Sequence, residues 1–145
     1  MIRVVVAGKF DPLHDGHRSH FREAAKLGDK LIVITHPDNI VARNSDKGFC
    51  YQTLRIRIQE ILKESCVDDV FVANLDNDGT VTNTLAYLKS NFDGELIFAK
   101  GGDRTPDNMP ESEIKVCQEI GYRIIYNVGD KKIQSSSGLV ANVRR

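Results

Sequence analysis

This chain has no net charge, no long apolar run and few cysteines, and each scarcity excludes something. Twenty basic side chains balance twenty acidic ones, so no bulk field recruits nucleic acid or an anionic membrane surface, and any anion site must be local. No apolar stretch approaches the roughly 18 residues of a membrane span. Cys50, Cys66 and Cys117 are odd in number and widely spaced, without a CxxC pair. That argues against a disulfide framework or a zinc cluster and predicts reduced thiols in a cytoplasmic protein, with packing as their default role. Met1-Ile2-Arg3 runs straight into an apolar pattern, without the features of a signal peptide.

What is present is ordinary for a folded domain. Hydrophobic residues make up 41% and charged residues 28% of 145 positions, whereas disorder needs a poorer core and a larger charge imbalance. One domain spanning residues 1–145 is expected, burying about two-thirds of its unfolded surface.

The most informative stretch is Val4-Val5-Val6-Ala7-Gly8-Lys9-Phe10-Asp11-Pro12-Leu13-His14-Asp15-Gly16-His17. A β-branched run stops at Gly8, a turn carrying Asp11 and Pro12 follows, and a helical pattern begins between two histidines. The first turn of a helix leaves N–H groups unpaired and carries about half a positive charge, so anions settle there. Gly16 removes a Cβ that would hold a phosphate off the backbone, and His14 and His17 share one face of the turn. The bland readings are two solvent-facing loop histidines or an incomplete metal pair. Zinc needs a third ligand at short spacing, and Asp11 and Asp15 suit a turn better, so no resident metal site is expected.

The rest of the chain alternates. Gly16 to Leu27 reads as a helix closed by Gly28, and Lys30 to Thr35 as a buried strand. His36-Pro37-Asp38-Asn39 opens a long polar connection, which at that length is usually functional or mobile. Tyr51 to Glu64 returns to helix, with Thr53 as candidate cap and Leu54, Ile58, Ile61 and Leu62 inward. A strand over Asp69 to Ala73, a helix over Val81 to Ser90 and a strand over Glu95 to Ala99 follow. A second glycine turn, Lys100-Gly101-Gly102-Asp103-Arg104, stands where open α/β sheets bind ligands. Glu111 to Glu119 reads as a helix stopped by Gly121, Tyr122 to Tyr126 as a strand, and Ser135-Ser136-Ser137 as a loop opening a last helix. The pattern predicts an α/β, Rossmann-like doubly wound sheet of five parallel strands with helices on both faces.

His14-Asp15-Gly16-His17, after a Gly-x-Phe-Asp turn on the first strand, resembles the HxGH signature of the nucleotidyltransferase superfamily, cytidylyltransferase-like family. Glycerol-3-phosphate cytidylyltransferases, heptose-phosphate adenylyltransferases and phosphopantetheine adenylyltransferases belong to this superfamily. The resemblance runs from Val4 to Leu139. Val67-Asp68-Asp69-Val70 resembles the segment introducing the third strand in the cytidylyltransferases, and Lys100-Gly101-Gly102-Asp103 resembles the Lys-Gly-Gly-Asp of the heptose-phosphate enzymes. Lys9 departs from the small or hydroxyl residue usual at its position, and Gly129 to Gln134 replaces the Arg-Thr-Glu-Gly of the glycerol-phosphate enzymes.

The resemblance implies transfer of a nucleotidyl group from an NTP to a phosphorylated small molecule, with Mg²⁺ and release of pyrophosphate. It implies that His14, His17 and Lys47 stabilise charge at the α-phosphorus, chemistry that positioned donors perform without a side-chain nucleophile. Gly8, Lys9, Phe10, Gly16, Gly102, Asp103, Ser135, Ser136 and Ser137 are implied to meet the nucleotide. Asp11, Asp38, Lys47 and Arg55 are implied to meet the acceptor, Arg55 through its planar fork. Each has a plainer reading, as a solvated loop lysine, a surface arginine, a turn aspartate or a flexible serine run. The Lys47 to Arg55 spacing and the Val-Asp-Asp-Val segment favour CTP, with ATP as the alternative. Sugar, polyol, phosphocholine-like and phosphopantetheine phosphates are the candidate acceptors. A homodimer is expected, and a non-catalytic nucleotide-binding module on the same fold is the alternative of another class.

Overall fold

The computed structural model describes residues 1–45, 48–102 and 105–129. Strands β1 (Ile2–Ala7), β2 (Lys30–Thr35), β3 (Asp69–Val72), β4 (Glu95–Ala99) and β5 (Arg123–Ile125) form one sheet in the order β3-β2-β1-β4-β5. All four ladders are parallel, which is the predicted α/β architecture. The helices are α1 (Asp15–Ala25), α2 (Asp38–Arg43), α3 (Leu54–Leu62), α4 (Thr82–Asn91) and α5 (Glu111–Ile120).

Side chains alternate across a strand, so a continuous Val/Ile/Leu run feeds two cores at once. Val4, Val6, Leu31 and Val33 pack with Phe21 of α1 and Ile61 of α3. Val5, Ile32, Ile34 and Phe98 pack with Leu85 and Leu88 of α4 and Cys117 of α5. Removing a side chain such as Phe21 or Leu85 from water contributes about 1.5–3 kcal/mol. The three cysteines are free thiols, with Cys117 buried.

Three local readings need correction. The connection after β2 contains α2, whose six residues are too few to show a periodicity. Gly28 does not cap α1 in the left-handed region; a Cβ there would stand 2.8 Å from the Ile2 carbonyl, so close approach to β1 requires the glycine. The inward stripe of α3 includes Arg57, which is fully buried, while Leu62 is 52% exposed. Thr53 does occupy the cap position of α3, though its side chain makes no capping bond. Gly121 ends α5 as predicted, with φ at 94°.

The chain winds outward from β1 through β2 and β3, then returns to β4 on the other side of β1. The C-terminal ends of β1 and β4 therefore part at a reversal of winding, the place where open α/β sheets leave a crevice.

Candidate functional site

A cavity of about 470 Å³ opens at that reversal. Its floor is the turn after β1, including Gly8, Lys9 and Phe10, and the first turn of α1 adds His14 and His17. His36 follows β2, Lys100 follows β4, and Glu113 of α5 closes the far wall.

The two histidines cap α1. His14 is the N-cap, and its Nδ1 accepts from Gly16 N–H at 3.1 Å; His17 Nδ1 in turn accepts from His14 N–H at 3.1 Å. This is a capping box with imidazoles in place of the usual hydroxyl and carboxylate. A backbone N–H can only donate, so both Nδ1 atoms are unprotonated and each neutral ring carries its proton on Nε2. The rings stack at 3.6 Å. Burial, the neighbouring His14 and His20, and the Arg18 guanidinium push the His17 pKa down to about 3. Burial and Arg18 lower His14 against the opposing pull of Asp15. Two neutral imidazoles with Nε2–H donors therefore stand at a helix N-terminus whose dipole favours anions, while their Nδ1 atoms take up the His14 and Gly16 N–H groups.

Phe10 packs beneath one member of this pair. It is a non-glycine residue with φ of 54°, and its buried ring meets His17 edge-on at 4.9 Å and Phe21 at 5.2 Å. A Cβ on Gly8 would fall 2.9 Å from that ring, so Gly8 is small because Phe10 folds over it. Lys9 lies along the cavity and donates from Nζ to the Asn44 carbonyl at 2.6 Å.

Arg57 ties the turn to its surroundings. Its guanidinium donates to the carbonyls of Gln52 and Lys9, each at 3.2 Å, to Thr35 Oγ1 at 2.9 Å, and to Asp38 Oδ1 at 2.8 Å. Asp11 accepts from the Tyr51 and Gln52 N–H groups at 2.8 and 2.7 Å, which clamps the segment before α3 onto the turn after β1.

Of the residues predicted for the site, Gly8, Lys9, Phe10, Asp11, His14 and His17 come together around the cavity. Gly16 sits beside them in the first turn of α1. Asp38, Arg55 and Gly102 stand outside its wall; Asp38 pairs with Arg57, and Arg55 is exposed on α3. Lys47, Asp103, Ser135, Ser136 and Ser137 lie outside the described residues. His36, Arg57, Lys100 and Glu113 are additions. Arg57 could have been found from the sequence, since it falls three residues after Leu54 and four before Ile61, within the helix's own inward stripe.

Among the described residues, no group of three or more His, Cys, Asp or Glu side chains could hold a metal. Both Asp11 oxygens are already engaged by backbone N–H groups. The donor set among the described residues does not fit a resident Mg²⁺, an ion that ordinarily enters such sites on substrate phosphates with one or two carboxylates.

The family model described as cytidylyltransferase-like matches residues 5–138. The chain belongs to the cytidylyltransferase-like family. Among the proteins similar to it is an FAD synthase of Aciduliprofundum boonei, 43% identical over 63 residues, which are 43% of this chain and 42% of that protein. The bifunctional protein HldE of Desulfatibacillum aliphaticivorans is 30% identical over 141 residues, 97% of this chain and 27% of that protein. The cytidylyltransferase-like chain thus spans about two-fifths and about a quarter of these relatives. The crystal structure of a lipopolysaccharide core biosynthesis protein from Thermoplasma volcanium shares its fold, with a TM-score of 0.69 and 28% identity over 90% of this chain and 99% of that one. No helix among the described residues is long and apolar enough to cross a membrane.

Proposed function

We propose that this chain is a nucleotidyltransferase that moves an adenylyl group from Mg-ATP to a phosphorylated small molecule. An oxygen of the acceptor phosphate bonds to the α-phosphorus, the bond from that phosphorus to the bridging oxygen breaks, and pyrophosphate leaves. The observation carrying this reading is the capping box of His14 and His17, two residues of the cavity wall whose engaged Nδ1 atoms leave each neutral ring with an Nε2–H donor at the start of α1. Donors fixed before the reaction need no reorganisation as charge develops, which is how phosphoryl-type transfer is accelerated without a covalent nucleophile. Mg²⁺ arrives on the nucleotide as part of the substrate.

ATP is favoured over the CTP that the sequence pattern pointed to, because a relative matched over 63 residues is an FAD synthase and FAD is an adenine dinucleotide. Lys47 and the run from Ser135 to Ser137 complete the phosphate site in this reading, and the enzyme works as a cytoplasmic homodimer.

The test is a thermal-shift series with Mg²⁺ and each of ATP, CTP, GTP and UTP, followed by pyrophosphate release with phosphorylated acceptors. A ligand that binds only the folded state raises the midpoint by mass action. ATP is expected to give the largest shift, abolished in His17→Ala. A dominant CTP shift would return the donor to CTP. No shift with any nucleotide at millimolar concentration would overturn the reading.

A further inference from the structure

The segment after β5 bonds to both lips of the crevice. Asn127 takes a φ of 60° and Gly129 one of 111°, left-handed values that turn the chain sharply on its way from β5 to α1. Between them, the Val128 N–H donates to the Lys100 carbonyl at 2.9 Å, in the turn after β4. The Val128 carbonyl accepts from His20 Nδ1 at 2.7 Å, one helical turn beyond His17 on α1. Gly129 closes the joint on the α1 side, since a Cβ there would stand 3.1 Å from the His20 Cα. The Val128 side chain is buried in the same core as Phe10 and Phe21, and the Phe10 ring meets His17 edge-on.

The place of this strap gives it a task. The ladder between β1 and β4 runs from Ile2 and Glu95 to Val5 and Phe98 and stops there. Past that point the strands part to open the cavity, and the Val128 link takes over across the gap. A carbonyl oxygen can only accept, so His20 carries a proton on Nδ1, the reverse of the arrangement in His14 and His17. His20 does not line the cavity, so it acts on a ligand only through what it holds. What it holds is a spacing, with the two imidazole donors of α1 on one side and the turn carrying Lys100 on the other.

We infer that His20 is a positioning residue for nucleotidyl transfer, which through Val128 holds His14 and His17 at a fixed distance from the turn after β4. This rests on the nucleotidyl-transfer reading above. A nucleotide bound at the reversal meets both lips, and a displacement of about 1 Å between groups that must act together can cost on the order of a hundredfold in rate. Asp11 and Asp38 are fastened from the α3 side instead, by the Tyr51 and Gln52 N–H groups and by Arg57, so the strap does not set their places.

The test titrates the full chain with Mg-ATP by calorimetry and follows pyrophosphate release with glycerol 3-phosphate and glucose 1-phosphate, for wild type, His20→Phe, His20→Asn and Gly129→Ala. All are measured well below their melting midpoints, so that each value refers to folded protein. His20→Phe keeps a ring and removes the donor, His20→Asn keeps an N–H near the place of Nδ1, and Gly129→Ala pushes the strap off α1 without touching the histidine. The Mg-ATP Kd is expected to rise about tenfold in His20→Phe and in Gly129→Ala and to return towards wild type in His20→Asn, with kcat falling in the same two variants and the acceptor KM little changed. A histidine that merely closed a loop would lower the midpoint and leave Kd and kcat as they are. Wild-type Kd in both His20→Phe and Gly129→Ala, or no recovery in His20→Asn, would overturn the inference with nucleotide binding intact; should His20→Phe fail to fold, Gly129→Ala decides. Absence of Mg-ATP binding and of pyrophosphate release in wild type would overturn the transfer reading and the inference with it.

Discussion

The buried Arg57 and its half-exposed partner Asp38 make a prediction whose size can be worked out from their contacts. Arg57 is fully buried, and the Asp38 side chain keeps 49% of its exposure. Arg57→Met fills the volume but removes donors from two carbonyls and a hydroxyl, each worth about 1 kcal/mol, so the expected loss is about 3 kcal/mol. The released Asp38 carboxylate can rehydrate and adds little. Asp38→Asn keeps an oxygen for Nη2 but leaves a buried guanidinium without its counter-charge. At a position that solvent reaches from one side, that costs about 1.5 kcal/mol. In the Arg57→Met background the Asp38→Asn change has nothing left to break, so the double variant should also lose about 3 kcal/mol and the coupling should be about 1.5 kcal/mol. Urea denaturation measures all three, and melting provides a second reading at about 3 °C per kcal/mol for a chain of this size. A double variant near the additive loss of about 4.5 kcal/mol would refute the view that this pair is one unit.

Two further predictions concern the capping box of α1 and the turn after β1. His17 holds its pKa near 3 when folded, against about 6.5 when unfolded. Below pH 6.5 the unfolded chain therefore takes up a proton that the folded one refuses, and stability falls with pH, by about 2 kcal/mol between pH 7 and pH 5, levelling off near pH 3. His17→Asn, which keeps an acceptor for the His14 N–H, should flatten that slope in denaturation curves collected across pH; an unchanged slope would assign it to other groups. Gly8→Ala places a Cβ 2.9 Å from the Phe10 ring, so the ring must shift against His17 at a cost of about 1–3 kcal/mol. The expected result is a lower midpoint together with a smaller ATP-induced shift, and a variant with wild-type values for both would contradict the packing argument.

The fold was legible because its signals are long and redundant. Each of the first, second and fourth strands carries an uninterrupted apolar run, Val4 to Ala7, Leu31 to Ile34 and Leu96 to Ala99, and a strand buried on both faces has to read that way. The parallel ladders then follow from the helices between them. What was not legible is short or depends on distance. α2 has only six residues. The need for Gly28 comes from a carbonyl 26 positions earlier in the chain, in Ile2, and no local pattern carries that information.

The site was legible to a different extent, for a reason that lies in its construction. His14 and His17 stood out because a helix start imposes a local spacing on anything that caps it, and local spacing is what a sequence displays. The tautomer did not, since it depends on which ring atom meets a backbone N–H, and that is a matter of rotamer. The contacts that support the turn from behind were also hidden. The place of Arg57 in the inward stripe of α3 signals its burial, but not that Thr35, Asp38 and the Lys9 carbonyl converge on it from three different segments. Asp11 belongs to the same group, since its role is set by two N–H groups forty and more residues ahead. The candidate site therefore divides into a local half, written into consecutive residues, and a supporting half assembled from distant ones. Substitutions in the first should act on nucleotide binding directly, whereas those in the second should reach it through the stability of the turn.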